Sequence, residues 1–114
     1  METKGVITAL SALAQDSRLA VFRLLVQAGH AGMPAGKIGE AAGISPSSLS
    51  FHMKELAHAE MVTSRNEGRF VIYAANFSTM NGLIAFLTEN CCGGIPCLPD
   101  CSPATLSVSP AKIL

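Results

Sequence analysis

The chain has 114 residues, no net charge at neutral pH and 49% apolar content. That length holds one domain with a small core, and an apolar surplus on so small a body points to a subunit interface. Zero net charge excludes bulk electrostatic capture of nucleic acid, the apolar runs are too short to span a membrane, and residues 1–15 lack the features of a secretion signal, so a cytoplasmic chain with reduced cysteines is expected.

Val6, Ile7, Leu10 and Leu13 recur at helical spacing, which predicts a first amphipathic helix over 3–14. Asp16 is the expected N-cap of a second helix, with Leu19, Phe22 and Val26 on one face and Leu24 and Leu25 broadening it, ending near Gly29. Gly29 to Gly36 reads as a loop. Residues 35–42 form a short alanine-rich helix closed by Gly43, and Ser45 then caps a fourth helix with Pro46 at its first position. Leu49, Met53 and Leu56 make the buried stripe of this helix, while Ser47, Phe51, Lys54 and His58 fall on the opposite face. His52 lies beside the stripe and reads as a packed, hydrogen-bonded side chain.

Met61 to Asn66 and Arg69 to Tyr73 are strand-like runs, with Glu67-Gly68 expected at the hairpin tip. A last helix runs from Asn76 or Ser78 to about Asn90, with Met80, Leu83, Ile84 and Leu87 at heptad-like spacing. The boundaries are a 1–90 DNA-binding and dimerisation domain and a 91–114 cysteine-containing tail. The expected fold is mainly α: a winged helix-turn-helix with four helices, a β-hairpin wing and a C-terminal helix, assembled as a homodimer.

Gly39 to Ser45 joins two helices through a tight glycine turn, as a helix-turn-helix requires. The second helix of that pair enters the major groove with its N-terminal half leading. Ser45, Ser47, Ser48 and Ser50 there offer short hydroxyls to phosphates or base edges, and Phe51 offers contact to a thymine methyl. Lys54 adds a cation, and Arg65 and Arg69 flank the wing tip, where a wing touches backbone or minor groove. Glu55, Glu60 and Glu67 dilute this patch. For one serine alone, a solvated face is the better reading; for the whole succession of elements, binding to double-stranded operator DNA is. An enzyme is not expected: the chain shows neither paired carboxylates, nor a phosphate-cradling loop, nor a nucleophile with a recognisable partner.

All four cysteines fall between positions 91 and 101, without a histidine. Thiolates gathered in this way suit a soft, thiophilic ion. A structural zinc knot ranks behind, because adjacent cysteines followed by gaps of four and three residues are not the paired knuckles of such sites. A thiol redox switch ranks third, closing between Cys92 and Cys97 or Cys101. A metal chaperone that never touches DNA is the alternative of a different class, and the wing arginines argue against it.

Leu49 to Leu56 followed by Ala59-Glu60-Met61-Val62 resembles the recognition-helix signature of the ArsR/SmtB repressors. Asp16-Ser17-Arg18-Leu19 with Phe22 to Leu25 resembles that family's second helix, and Arg65 to Arg69 with Ile72-Tyr73 its wing. The likeness covers about residues 6–90. It implies a homodimeric repressor released from its operator by metal, pairing through the first and last helices. The helix before the recognition helix, Lys37 to Ala42, lacks the cysteine pair of many arsenic-responsive members, and the last helix lacks the aspartate and histidine pattern of the zinc sensors. Thr88 to Gly94 instead resembles arsenical sensors with the thiol site at the end of the last helix. That implies Cys91, Cys92 and a third thiolate, Cys97 or alternatively Cys101, as ligands of trivalent arsenic, with arsenite as inducer. Antimonite is expected to be accepted as arsenite is; cadmium, lead or thiol oxidation are alternative signals.

Overall fold

The computed structural model describes residues 1–94; Cys97, Cys101 and the rest of the tail, with the expectations placed on them, lie outside the described residues. The elements run α1 (Thr3–Leu13), α2 (Asp16–Ala28), a 3-10 turn (Gly29–Ala31), β1 (Met33–Pro34), α3 (Ala35–Ala42), α4 (Pro46–His58), β2 (Val62–Glu67), β3 (Phe70–Ala75), α5 (Phe77–Leu87) and a second 3-10 turn (Cys91–Gly94). This is the mainly helical winged helix-turn-helix anticipated from the sequence, with one addition. The stretch expected to be loop contains β1, which pairs antiparallel with β3 to give a three-stranded sheet of order β1-β3-β2. Two residues carry too little alternation to announce a strand.

The core draws on every helix and on the wing. Leu25, Ile38, Met53, Leu56, Met61 and Val21 are its largest fully buried side chains. In α2, Phe22 and Leu25 are buried and Val26 packs against the core as expected, while Leu19 is exposed and Val21 is buried in its stead. The cap is also one residue earlier than expected: Gln15 accepts the Arg18 amide, and Asp16 is the first helical residue, where its charge favours the positive end of the helix. In α1 the helix buries Val6, Ala9 and Ala12 and leaves Ile7 and Leu10 in solvent. α5 does the same, hiding Leu83 while Ile84 and Leu87 stay exposed.

Gly32 fixes how β1 meets β3. Its φ is +72°, and a Cβ there would sit 2.3 Å from the Tyr73 carbonyl oxygen. Only glycine avoids both the left-handed penalty and the collision. Gly32→Ala is expected to cost about 2–3 kcal/mol, lowering Tm by roughly 10–20 °C for a domain this size. Thermal unfolding by circular dichroism reads this directly.

Candidate functional site

The α3–α4 connection is built by backbone chemistry. Gly43 takes the left-handed conformation at φ 67°, and the Ile44 amide donates back to the Gly39 carbonyl at 3.0 Å. This six-to-one bond is the Schellman closure, which turns the chain within two residues. Ser45 then caps α4 by accepting the Ser48 amide at 3.4 Å, and Pro46 occupies the first turn. The turn and cap aim the N-terminal half of α4 outward. Leu49, Met53 and Leu56 anchor it to the core, while Ser47, Ser48, Ser50 and Lys54 are exposed and Phe51 is 57% exposed. Each of the latter positions is exposed. Ser45 is exposed too, with its hydroxyl engaged in the cap.

The other end of α4 is stopped by a second Schellman closure. Glu60 adopts φ 60°, its amide donates to the Ala57 carbonyl, and the Met61 amide donates to the Leu56 carbonyl at 2.9 Å. Met61 is fully buried, which pulls the chain into the core before the wing begins.

His52 is half-buried and hydrogen-bonded, as anticipated. Its Nδ1 lies 3.3 Å from Nη1 of Arg18, whose Nε donates to the Ala12 carbonyl at 2.6 Å. A guanidinium can only donate, so Nδ1 is the acceptor and the proton of the neutral ring sits on Nε2. One α2 side chain thus ties the last turn of α1 to the middle of α4. Arg18→Met leaves the imidazole and the carbonyl without this donor and is expected to cost about 1–3 kcal/mol. Urea unfolding should show a lower midpoint with an unchanged m-value.

The wing tip differs from expectation by one residue. Glu67 pairs with Phe70, so Gly68 and Arg69 are the two turn residues. Gly68 has φ 62° and Arg69 a negative φ, the arrangement of a type II′ hairpin turn. Arg69 is therefore at the apex itself, and Phe70 beside it is 64% exposed. Arg65 has a different setting. Its Nε donates to the Glu67 carboxylate at 2.7 Å and its Nη2 to the Ala31 carbonyl at 2.8 Å.

The thiols sit beyond α5, which ends three residues earlier than expected. Thr88 terminates it and turns its hydroxyl back onto the Ile84 carbonyl at 2.8 Å. Asn90 and Cys92 take left-handed φ values of 55° and 57°, so the chain curls instead of continuing as helix. Cys91 and Cys92 are both exposed, with their Sγ atoms 3.7 Å apart. Two thiolates bound to one ion at about 2.3 Å and a tetrahedral angle lie about 3.8 Å apart. A pyramidal centre draws them slightly closer. Among the described residues, no group of three or more His, Cys, Asp or Glu side chains is placed to hold a metal ion, so a third ligand would have to come from beyond Gly94.

Residues 13–65 match the sequence model of the helix-turn-helix domain, and the β2–β3 hairpin adds the wing. The chain is a winged helix-turn-helix protein. Solved structures share this fold. NolR from Sinorhizobium fredii is 28% identical, with a TM-score of 0.60 over 75% of this chain and 83% of that one. A homodimeric winged helix-turn-helix DNA-binding domain from Mycobacterium bovis, described as a possible ArsR-family transcriptional regulator, is 21% identical, with a TM-score of 0.61 over 81% and 85%. A protein described as a possible transcriptional regulator for arsenical resistance is 25% identical, with a TM-score of 0.62 over 71% and 81%. Among curated proteins, none matches the sequence. No helix among the described residues of this winged helix-turn-helix protein is long and apolar enough to cross a membrane.

Two features are not legible from neighbouring residues. Arg18 was visible only as part of a motif, since its partner lies thirty-four positions away. Phe70 lies in β3 as its run implies, but its place beside the apex follows only from the one-residue shift in register.

Proposed function

We propose that this protein is an ArsR-family transcriptional repressor that binds operator DNA as a homodimer and lets go when trivalent arsenic is held by Cys91, Cys92 and a third thiolate, Cys97 or Cys101. The observation that carries the reading is the pairing of an exposed, serine-rich α4 and an arginine-tipped wing with two sulfurs 3.7 Å apart just past α5. The homodimeric and arsenical-resistance relatives support it from outside.

α4 enters the major groove with Ser47, Ser48, Ser50 and Phe51 toward the bases and Lys54 toward a phosphate. Ser45 sets the helix start, and Arg69 reaches the backbone or minor groove. The exposed Ile7 and Leu10 of α1 and Ile84 and Leu87 of α5 provide the apolar surface for a two-fold partner. α1 packs directly on α5, so one interface can use both. Trivalent arsenic takes three thiolates in a pyramid with its lone pair in the fourth direction. Drawing a third sulfur onto Cys91 and Cys92 would pull on the end of the dimer helix and shift the spacing of the two recognition helices.

The test is a gel shift with the DNA upstream of the protein's own gene, with and without arsenite. Binding that arsenite abolishes supports the reading; a protein that never retards that DNA refutes it. Cadmium, lead, antimonite and an oxidant serve as parallel titrants, because a 3.7 Å thiol pair also suits a tetrahedral soft ion.

A further inference from the structure

Arg65 stands on β2 opposite Ile72 of β3, and Ile72 in turn stands opposite Pro34 of β1. Its guanidinium therefore reaches across β3, the central strand, to the carbonyl of Ala31 in the 3-10 turn preceding β1. The same group holds the carboxylate of Glu67, the last residue of β2 before the hairpin turn. An exposed ion pair alone contributes little. A fork that joins the root of the wing to the body at one end and to the tip at the other does something else: it sets the angle of the hairpin. It also covers a carboxylate that would otherwise face the phosphates from beside the apex.

We propose that Arg65 does not contact DNA, and that it is a positioning residue that straps the wing to the body and neutralises Glu67, leaving Arg69 as the wing's phosphate contact. This rests on the DNA-binding reading above. It divides the two wing arginines, which the sequence alone makes equivalent, into one that holds and one that touches.

The experiment compares operator binding across a salt series for wild type, Arg69→Gln, Arg65→Lys and the charge-balanced double variant Arg65→Met/Glu67→Met. Amide hydrogen exchange in 63–71 is followed on the same proteins. Each phosphate neutralised contributes about 0.9 to the slope of log K against log salt. Arg69→Gln should lose about that much slope. The double variant should keep the wild-type slope, bind about tenfold more weakly, a factor equivalent to one net hydrogen bond, and exchange its wing amides faster. Arg65→Lys, which keeps the charge and loses the fork, should behave like the double variant.

A slope lowered by about 0.9 in the double variant would put Arg65 on a phosphate and overturn the proposal. Unchanged exchange would overturn it as well, and so would full affinity in Arg65→Lys. Circular dichroism confirms that each variant is folded at the temperature used. If wild type itself fails to bind operator, the DNA-binding reading fails, and the exchange measurement still decides the strap.

Discussion

A variant carrying Cys91→Ser and Cys92→Ser should bind its operator as tightly as wild type and stay bound when arsenite is added. Both side chains are exposed beyond the end of α5, so neither thiol belongs to the core. Serine keeps the shape and removes the soft donor. In wild type, the expected coupling of about 1–3 kcal/mol loosens operator binding roughly 5- to 150-fold. In the double variant that factor falls to one. Cys97→Ser and Cys101→Ser, made separately, then show which of the two completes the ligand set. Fluorescence anisotropy of a labelled operator duplex, read under reducing conditions, reports all of these. Release by arsenite that persists in the double variant would remove the thiol site from the account.

Ile84→Glu together with Leu87→Glu should produce a folded monomer that binds operator at least a hundredfold more weakly. The two side chains are 50% and 59% exposed, so the charges enter no core. Leu83, with Met80 and Phe86 packed beside it, still attaches α5 to the body. In the dimer the same positions would be covered by a partner, where unpaired carboxylates carry a heavy desolvation cost. Losing the second recognition helix forfeits the gain from joined half-sites, typically 10²- to 10⁴-fold. Sedimentation equilibrium gives the mass and the anisotropy titration gives the affinity. A variant that remains dimeric would place the interface elsewhere.

The parts of this protein that were legible in its sequence are those fixed by neighbours in the chain. Ser45-Pro46 at the start of α4, Gly43 before it and the Leu49, Met53, Leu56 stripe are local signals, and the structure follows them. The parts that were missed depend on distant pairing. β1 is a strand only because β3 lies alongside it, and the wing register, from Val62 on Ala75 to Glu67 on Phe70, leaves Gly68 and Arg69 as the turn. On α2 the spacing leads to Phe22, Leu25 and Val26, but Leu19 competes in the pattern with Val21, and burial takes the valine. The end of α5 is not legible because apolar periodicity stops at Leu87 without a glycine or proline to mark it, and Thr88 and Asn90 turn the chain. Of the candidate site, the groove-facing side of α4 was readable. The commitment of Arg65 to Ala31 and Glu67 was not, since nothing in the order of residues brings 31 next to 65.

Capture of a thiophilic ligand and grip on DNA must oppose each other from both sides. If arsenite weakens operator binding by some factor, operator must weaken arsenite binding by the same factor. Isothermal titration of arsenite into reduced protein, alone and saturated with operator duplex, measures that directly. The arsenite dissociation constant should be raised roughly 5- to 150-fold by the duplex. Equal constants in the two titrations would contradict it.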